Sequence, residues 1–460
     1  FWLKRLANLS CGRLQEVATS SVATPDNASG YQPAVSGNKR AMVGGEVSAI
    51  KKTMITKNIK APDPVPQAGI DQAIKLMETG KMYRYSYTEA SESPVSLCEV
   101  EVAEYTGHKY CVALNSCGSA LYLMLLAAGV QPGDKVLTNA FTFVAVPSAI
   151  HHAHAKPVYV ESTTGYVLDT EDLEVKAKES GAKYLMISHM RGKLADMDEV
   201  KRICDKYNVV LLEDCAHSIG VRFGDGTKNA PHSGHHGIAA CISSQSYKML
   251  NSGEGGFFLT DNDLMAAKVA VYAGAYEALS ERHITVPPIE VFGDLPNQIP
   301  NYSLRMSCLT AAVIRPQIAT LEERVEKYNK RYYTVAERLN RHPNIEVPKQ
   351  MEKVRICGDS IQFNLQNVTD EQVTAFLKEC KDRKLASELF GHPGNARNFV
   401  NWKFSLPDQP LPKTAAMIKR AIDIRMPLTW EDEDFVTLCQ AVEESMDAAM
   451  ATTPDACIGA

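Results

Sequence analysis

The architecture of this chain is indicated most clearly by the segment Val209-Val210-Leu211-Leu212-Glu213-Asp214-Cys215-Ala216-His217. A short, unbroken apolar run ending in acids is typical of a strand buried on both faces, as in a parallel sheet covered by helices. Ligand-binding groups in such sheets gather at the carboxyl ends of the strands. The segment therefore predicts a central strand with Asp214 and His217 in a functional site. A second interpretation stays open, in which Asp214 caps a following helix.

Similar β-rich runs lie on both sides of that segment in the sequence. They occupy residues 110–114, 135–138 and 183–187, and helix-like segments separate them. This alternation predicts an α/β domain with a mostly parallel sheet. Residues 318–339 are charged with helically spaced apolar positions, which predicts a long helix leading into a second domain at about 345–450.

Composition bounds the class of protein. The chain has 460 residues, 45% of them apolar and 22% charged, with a formal net charge of -5. This composition is typical of a globular enzyme of two domains and lacks the basic footprint of nucleic-acid binding, so we expect no nucleic-acid partner. No apolar run reaches the roughly 18 to 20 residues of a membrane-spanning helix, so we expect a soluble protein without a membrane partner. The 12 cysteines form no C-x-x-C pair, which argues against a zinc site or a disulfide framework.

The amino-terminal segment differs from the rest. Residues 1–60 contain nine Lys or Arg against three acids and are rich in Ser, Thr and Ala. Such a segment resembles an organelle transit sequence, and a disordered extension on a cytoplasmic enzyme is the alternative. The proline-rich stretch 61–66 predicts a linker. We therefore predict a leader at 1–60, a large domain at 61–320 and a small C-terminal domain at 321–460.

Two further segments carry candidate chemistry. Asn115-Ser116-Cys117-Gly118-Ser119-Ala120 precedes an apolar helix predicted to begin near Ala120, and small residues there suit an anion at a helix N-terminus. An ordinary helix cap at Ser119 explains the same pattern. Lys248 lies among hydroxyls and glycines in the segment 243–256, where partial desolvation would lower its pKa and free the amine for Schiff-base chemistry. The alternative for Lys248 is a solvated surface charge.

Taken in order, these segments resemble the DegT/StrS-type aminotransferases, fold-type-I pyridoxal 5'-phosphate (PLP) enzymes that mostly aminate keto-sugars and cyclitols. The resemblance extends over about residues 83–446. It rests on S-x-G-S-A-L at 116–121, T-F-V-A at 142–145, E-D-x-A-H at 213–217 and S-Y-K…G-E-G-G at 246–256. It implies an α/β fold: a large domain with a mostly parallel seven-stranded sheet flanked by helices, and a smaller α+β domain.

The resemblance also assigns roles to residues. Lys248 corresponds to the lysine that carries PLP as a Schiff base, and Asp214 to the aspartate paired with the pyridine nitrogen, where a carboxylate keeps that nitrogen protonated. Phe143 matches the aromatic residue stacked on the cofactor ring, with a core phenylalanine as the alternative.

Four more cofactor contacts follow from the same matches. Gly118, Ser119 and Ser243 correspond to contacts of the cofactor phosphate. His217 corresponds to the residue near the phenolic oxygen.

The chain departs from the family pattern at two places. His189 and Arg191 lie in a segment that matches H-L-Y-G-x-x-A-D-M, but Arg191 replaces an apolar or tyrosine residue. We hypothesise that Arg191 meets an anionic group of a substrate, and a structural arginine is the alternative. Ser303 replaces the asparagine of a loop that, in the family, reaches a neighbouring subunit's cofactor, so we expect Asn301 or Arg305 to serve there in a homodimer with shared sites. The histidines at 232, 235 and 236 lie where the family has a variable loop, and we expect no metal.

These assignments predict a PLP-dependent aminotransferase that moves an amino group from glutamate or glutamine to a keto-sugar, ketocyclitol or related carbonyl acceptor. A PLP-dependent lyase or dehydratase and a non-catalytic regulator of the same fold are the alternatives. Some dehydratases of the family replace the lysine by histidine, and a regulator would be expected to lose Lys248 or Asp214. Both residues are present. The two interpretations of the amino-terminal segment predict either an organellar or a cytoplasmic location for the protein.

Overall fold

The fold is known from a computed structural model, which describes residues 52–277 and 279–452. Its strands are β1 (Tyr110–Leu114), β2 (Lys135–Asn139), β3 (Lys156–Val160), β4 (Tyr184–Ser188), β5 (Val210–Asp214), β6 (Arg222–Phe223), β7 (Ala239–Ser243), β8 (Gly256–Thr260), β9 (Ile345–Glu346), β10 (Val354–Arg355), β11 (Ser360–Leu365), β12 (Glu388–Leu389) and β13 (Ala421–Arg425).

The helices are α1 (Gln67–Thr79), α2 (Pro94–Thr106), α3 (Cys117–Ala128), α4 (Ala145–His152), α5 (Thr170–Ser180), α6 (Met197–Tyr207), α7 (Asp263–Ala273), α8 (Leu279–Arg282), α9 (Ile289–Phe292), α10 (Leu295–Gln298), α11 (Cys308–Ala319), α12 (Leu321–Leu339), α13 (Asp370–Asp382), α14 (Pro412–Ile418) and α15 (Asp432–Met450).

A seven-stranded sheet forms the large part of the fold, in the order β1-β8-β7-β5-β4-β2-β3. Strand β8 runs antiparallel to both of its neighbours, and the pairs from β7 through β5, β4 and β2 to β3 are parallel. Strand β5 lies at the centre with Leu211 and Leu212 buried, as its apolar sequence predicts. The predicted α/β class with a mostly parallel seven-stranded sheet is confirmed.

A second, antiparallel sheet of order β12-β13-β11-β9 forms the C-terminal part with helices α13 and α15. Helix α12 leads into this part, but it begins at Leu321 and not at residue 318 as predicted. Residue Ile318 belongs to α11, and Thr320 interrupts the helical path between the two helices.

The chain is already part of the fold before the proline-rich stretch. Ile55 and Ile59 are buried, and the N–H of Ile55 donates to the carbonyl of Arg383 at 2.9 Å. The ammonium of Lys57 pairs with Asp434 at 2.5 Å. Residues 52–60 therefore pack on the C-terminal part, whereas the rest of the predicted leader, residues 1–51, lies outside the described residues. Among the helices that the structure describes, none is both long and apolar enough to cross a membrane.

Candidate active site

A cavity of about 560 Å³ lies at the carboxyl ends of the central strands, where β5 ends in Asp214 and β7 in Ser243. A volume of this size suits a small organic ligand or cofactor. The structure brings the following predicted residues together around it: Gly118, Phe143, Arg191, Asp214, His217, Ser243 and Lys248. Position at the strand ends is the reason why residues so distant in sequence meet.

Lys248 lies in the loop between β7 and β8, and its half-buried side chain forms part of the cavity wall. Its Nζ atom is 2.6 Å from Nε2 of His217. Burial, followed by the positive charge of Arg191, lowers the pKa of Lys248 from 10.5 to about 7. Burial and the charge of Lys248 also lower the pKa of His217 well below its usual value, so this imidazole is neutral near pH 7. The site thus contains an amine that is partly neutral at physiological pH, which a nucleophilic lysine requires.

Asp214 is buried at the end of β5, and its two carboxylate oxygens have separate donors. The hydroxyl of Ser188 donates to Oδ2 at 2.7 Å, and the backbone N–H of Ala216 donates to Oδ1 at 3.1 Å. No helix begins directly after β5, because residues 215–221 form turns before β6, so Asp214 does not cap one. A fixed, buried carboxylate that faces a cavity can hold a proton on a ring nitrogen.

Helix α3 begins at the cavity, three residues earlier than predicted, with Cys117 and Gly118 in its first turn. Its cap is Ser116, whose Oγ accepts from the N–H of Ser119 at 3.1 Å. The hydroxyl of Ser119 donates to Asn115, and Ser119 does not line the cavity. The N-terminus of a helix of this length attracts anions, so Gly118 remains suited to contact a phosphate, together with Ser243 on the neighbouring strand end.

Phe143 lies just before α4 and presents its ring to the cavity, with 39% of its surface exposed. A phenylalanine that filled the core would be buried, so the exposed ring is free to stack on a flat ligand. The guanidinium carbon of Arg397 lies 5.7 Å from the centre of this ring.

His189 lies behind the cavity wall and does not face the cavity. Its Nε2 is 2.8 Å from Glu213, and Glu213 also accepts from the N–H groups of His236 at 2.8 Å and Gly237 at 2.6 Å. Burial alone would raise the pKa of Glu213, but the hydrogen bonds from His189 and His236 outweigh it and lower that pKa to about 2.

His189 and Glu213 also form, with Cys215, a group whose ligand atoms lie within 4.8 Å of one another. Three side chains of this kind can bind zinc. Burial raises the pKa of the Cys215 thiol well above its usual value, and Glu213 is already satisfied by three protein donors. These three residues therefore fit a structural hydrogen-bond cluster beside β5 better than a metal centre.

Asn301 and Arg305 lie outside the cavity, beside the end of β1. The side chain of Asn301 accepts from the N–H of Ser303 at 2.7 Å, and Nη1 of Arg305 donates to the carbonyl of Gly274 at 3.0 Å. Ser303 has a φ of 55°, a left-handed conformation in which asparagine is more common than serine. The loop is thus built without a contact to the Lys248 cavity of its own chain.

Three cationic residues of the cavity wall were not predicted: Lys60, Arg397 and Arg425. Lys60 pairs with Glu388 at 2.7 Å, and both arginines come from the C-terminal sheet region. Their positions depend on how that region packs against the large sheet. Arg425 is the last residue of β13, and strand-end position was the only signal in the sequence that could have indicated it.

A family model matches most of the chain. The model describes the DegT/DnrJ/EryC1/StrS aminotransferase family, and it covers residues 74–443. A pleiotropic regulatory protein of Geobacillus stearothermophilus is 28% identical over 293 residues, which are 62% of this chain and 72% of that protein. The UDP-2-acetamido-2-deoxy-3-oxo-D-glucuronate aminotransferase of Pseudomonas aeruginosa is 29% identical over 233 residues, 50% of this chain and 59% of that protein.

A solved structure shares the fold. It is that of a 3-amino-5-hydroxybenzoic acid synthase, with a TM-score of 0.72 and 21% sequence identity, and the match covers 86% of this chain and 100% of that one. At this identity the likeness concerns the fold alone.

Proposed function

The chain belongs to the DegT/DnrJ/EryC1/StrS aminotransferase family, and from this premise we propose that it transfers an amino group from glutamate or glutamine to a keto-sugar, ketocyclitol or related carbonyl acceptor. Membership of the family makes it a PLP-dependent aminotransferase. The observation that carries the proposal is the half-buried amine of Lys248, whose pKa is lowered to about 7, in one cavity with the carboxylate of Asp214.

The residues of the cavity fit PLP. Asp214 would hold the proton of the pyridine nitrogen, Phe143 would cover one face of the ring, and Gly118 and Ser243 would bind the phosphate. When bound, PLP supplies a ring that stabilises negative charge on the carbon that bears the amino group. His217 is neutral and lies within hydrogen-bond distance of Lys248, so its Nε2 can accept a hydrogen bond from that amine.

Lys248 has two tasks in the proposed reaction. Its neutral amine would hold the cofactor through the aldehyde carbon of PLP, with water as the leaving group, and it would be freed when the amino group of the donor takes its place. The free amine then removes the proton from the donor's Cα atom, and in the second half of the reaction it returns a proton to the former carbonyl carbon of the acceptor. A pKa close to the working pH suits a group that must both accept and donate a proton.

Relatives support an acceptor with a carbonyl on a ring. The Pseudomonas aeruginosa relative is named as an aminotransferase that acts on an oxo-sugar derivative. We extend this substrate class to the present chain as a proposal, because fold and family do not by themselves fix a substrate.

We also propose a homodimer in which the loop with Asn301 and Arg305 completes the site of a second copy. The loop lies at the edge strand β1, at the surface of its own chain, and Asn301 is exposed. Size-exclusion chromatography with light scattering checks this, and a monomer that keeps full activity would contradict it.

A regulatory role is the second candidate, because the relative from Geobacillus stearothermophilus is named as a regulatory protein. A regulator that had lost catalysis would have no need to keep both Lys248 and Asp214 in one cavity. A lyase or dehydratase would release its product without a keto acceptor, whereas the proposed reaction needs one.

The deciding experiment follows the cofactor on the protein. Purified protein is reduced with borohydride and digested, and the peptide that carries the pyridoxyl group is identified by mass spectrometry. We expect the label on Lys248, no label in Lys248→Ala, and unchanged labelling in the surface control Lys228→Ala. Glutamate or glutamine is then added with and without candidate keto acceptors, and amino transfer is measured. A protein that takes up no PLP, or that turns over normally as Lys248→Ala, would refute the proposal.

A further inference from the structure

The peptide unit that joins Tyr247 to Lys248 is hydrogen-bonded at both of its polar atoms. The carbonyl oxygen of Tyr247 accepts from Nη2 of Arg425 at 2.8 Å. The N–H of Lys248 donates to the carbonyl of Gln245, also at 2.8 Å. We propose that Arg425 is a positioning residue, which holds this peptide unit and thereby keeps the amine of Lys248 beside His217. The inference rests on the proposed function, because it concerns the residue that would carry the cofactor.

Backbone hydrogen bonds pair the two arms of the Lys248 loop near its base. The N–H of Ser244 donates to the carbonyl of Gly255 at 3.1 Å. One step farther out, the N–H of Ser246 donates to the carbonyl of Gly253 at 3.1 Å. Lys248 lies beyond both pairs, at the tip of the loop. The position of its peptide therefore depends on contacts from other elements.

Other elements hold the tip of the loop from two sides. On one side, the N–H of Asn251 donates to Oε1 of Gln317 at 2.8 Å, and Nε2 of Gln317 donates to the carbonyl of Asn251 at 2.7 Å. The side-chain amide of Asn251 also donates to the carbonyl of Asp63 at 2.8 Å. On the side of Lys248, the contact comes from Arg425. Helix α11 and strand β13 thus hold opposite sides of the tip.

The guanidinium of Arg425 is itself fixed in direction. Arg425 is the last residue of β13, where it lies opposite Ser360 of β11. Its Nη1 donates at 3.3 Å to Oδ2 of Asp359, a buried residue. Because a guanidinium is a rigid planar fork, pairing one branch with a carboxylate directs the other branch toward Tyr247. A hydrogen bond from such a charged donor is stronger than one between neutral groups.

The position of the Lys248 backbone determines where its amine lies. The Nζ atom is 2.6 Å from Nε2 of His217, in the cavity that Asp214 also faces. A displacement of about 1 Å can slow a reaction about 100-fold, so loss of Arg425 should slow the reaction of this amine. The pKa of Lys248 is lowered by burial and then by the charge of Arg191. Because neither influence comes from Arg425, its loss should leave that pKa near 7.

The rate at which the cofactor-free protein takes up PLP, followed by stopped-flow absorbance, tests this role. In this step the neutral amine of Lys248 forms a C=N bond with the aldehyde carbon of PLP, and water leaves. We expect Arg425→Met to lower the limiting rate at saturating PLP about tenfold. The PLP concentration that gives half of this rate should change by less than about twofold, because Gly118 and Ser243 remain. The pH of the half-maximal rate should stay near 7.

Two control variants isolate the contact with Tyr247. Asp359→Asn keeps the donor to that carbonyl and removes the charge of the ion pair, so its limiting rate should fall by less than that of Arg425→Met. Arg341→Met, the same change at an exposed ion pair outside the cavity, should take up PLP like the unchanged protein. Where Arg425→Met does not fold, Arg425→Gln takes its place under the same criteria.

The positioning role is wrong if Arg425→Met keeps the limiting rate of the unchanged protein, or if Asp359→Asn lowers that rate equally. It is also wrong if the half-maximal rate of Arg425→Met moves toward pH 10.5, the usual pKa of lysine, because that shift would indicate lost burial and a purely structural effect. Failure of the proposed function gives a different result: the unchanged protein takes up no PLP at Lys248, which would refute that function and this inference together.

Discussion

The proposed role of Asp214 depends on a buried carboxylate that faces the cofactor cavity. In Asp214→Asn the remaining oxygen can still accept from the N–H of Ala216 and the new NH2 group can donate to the hydroxyl of Ser188, but the negative charge is lost. We expect kcat to fall by about 100-fold or more while PLP is still bound, because the ring nitrogen loses its proton. Ser188→Ala removes one hydrogen bond and keeps the charge, so its kcat should fall by less. Equal activity of Asp214→Asn and the unchanged protein would contradict the pairing.

The lowered pKa of Lys248 predicts how the uptake of PLP depends on pH. Its pKa of about 7 means that the amine is mostly neutral above that pH and mostly charged below it, and only the neutral amine can bind PLP. The rate at which the cofactor-free protein takes up PLP should therefore rise with pH and reach half its maximum near pH 7. Removing the positive charge in Arg191→Gln raises the pKa of Lys248, so the half-maximum should move to higher pH.

Stopped-flow absorbance across pH 5.5 to 9 measures that shift. Arg341→Gln is the control, since it removes the same charge at an exposed ion pair with Glu337 that lies outside the cavity. A profile that stays in place in Arg191→Gln would mean that burial alone sets the pKa of Lys248.

The sequence predicted the residues that belong to local motifs and missed those that do not. Lys248 and Asp214 could be singled out from their neighbours in the chain, whereas the role of Phe143 follows only from the match of its T-F-V-A segment to the family pattern. Arg397 follows no such pattern, and it reaches the cavity only because the C-terminal region packs against the ends of β4 and β5. Arg191 was singled out, but its partner Asp423 lies 232 positions away and could not be inferred.

At the level of secondary-structure elements, strand β8 packs closely against the start of helix α3 at Gly256. A Cβ atom at this position would lie 2.4 Å from the backbone nitrogen of Cys117 and 2.6 Å from the carbonyl carbon of Ser116. Gly256→Ala must therefore push the start of α3 away from β8. We expect a loss of about 1–3 kcal/mol in the free energy of unfolding, and weaker PLP binding because Gly118 moves too.

Chemical denaturation and cofactor titration of Gly256→Ala check both effects. Gly165→Ala serves as the control, because the added methyl group there meets only Thr163, at 3.4 Å. A Gly256→Ala protein as stable as the control would show that α3 is free to shift.

The start of α3 also shows a limit of prediction from sequence. The apolar pattern begins at Ala120, whereas Cys117 and Gly118 are weak helix formers and gave no helical signal. The hydrogen bond from Ser119 to the side chain of Ser116 extends the helix to Cys117. Two serines three positions apart are both plausible caps, and only the observed hydrogen bond distinguishes them.

For the whole molecule, the described amino-terminal residues contribute to stability. Ile59 is 3% exposed and packs in the same apolar core as residues of the C-terminal part. Ile59→Ala should lower the free energy of unfolding by about 2–4 kcal/mol, because it leaves a cavity in that core. Ile70→Ala, at a position that is 40% exposed, is the control and should change it by less than about 0.5 kcal/mol. Equal free energies of unfolding for the two variants would mean that residues 52–60 do not contribute to the stability of the fold, as predicted for a leader.

The response of the whole fold to acid follows from buried histidines. Burial, followed by the charge of the stacked ring of His235, lowers the pKa of His108 to about 4, and the pKa of buried His232 lies well below its usual value. In the unfolded chain a histidine titrates near pH 6.5, so the unfolded state binds protons first as the pH falls. Stability is therefore lost between about pH 6.5 and pH 4, and by pH 5.5 His108 alone should account for about 1 kcal/mol.

A second loss of stability, caused by buried carboxylates, is expected only at lower pH. Burial alone would raise the pKa of Glu99 and Glu213, but nearby cations and hydrogen bonds lower both to about 2. Their contribution is complete above an unfolded pKa of about 4.5 and falls below it. Urea unfolding at pH 7.5 and 5.5 measures the histidine effect apart from these two carboxylates. His108→Gln should narrow the difference in midpoint between these two pH values, and the exposed control His152→Gln should leave it unchanged. Equal differences in the two variants would mean that His108 already binds a proton in the folded protein.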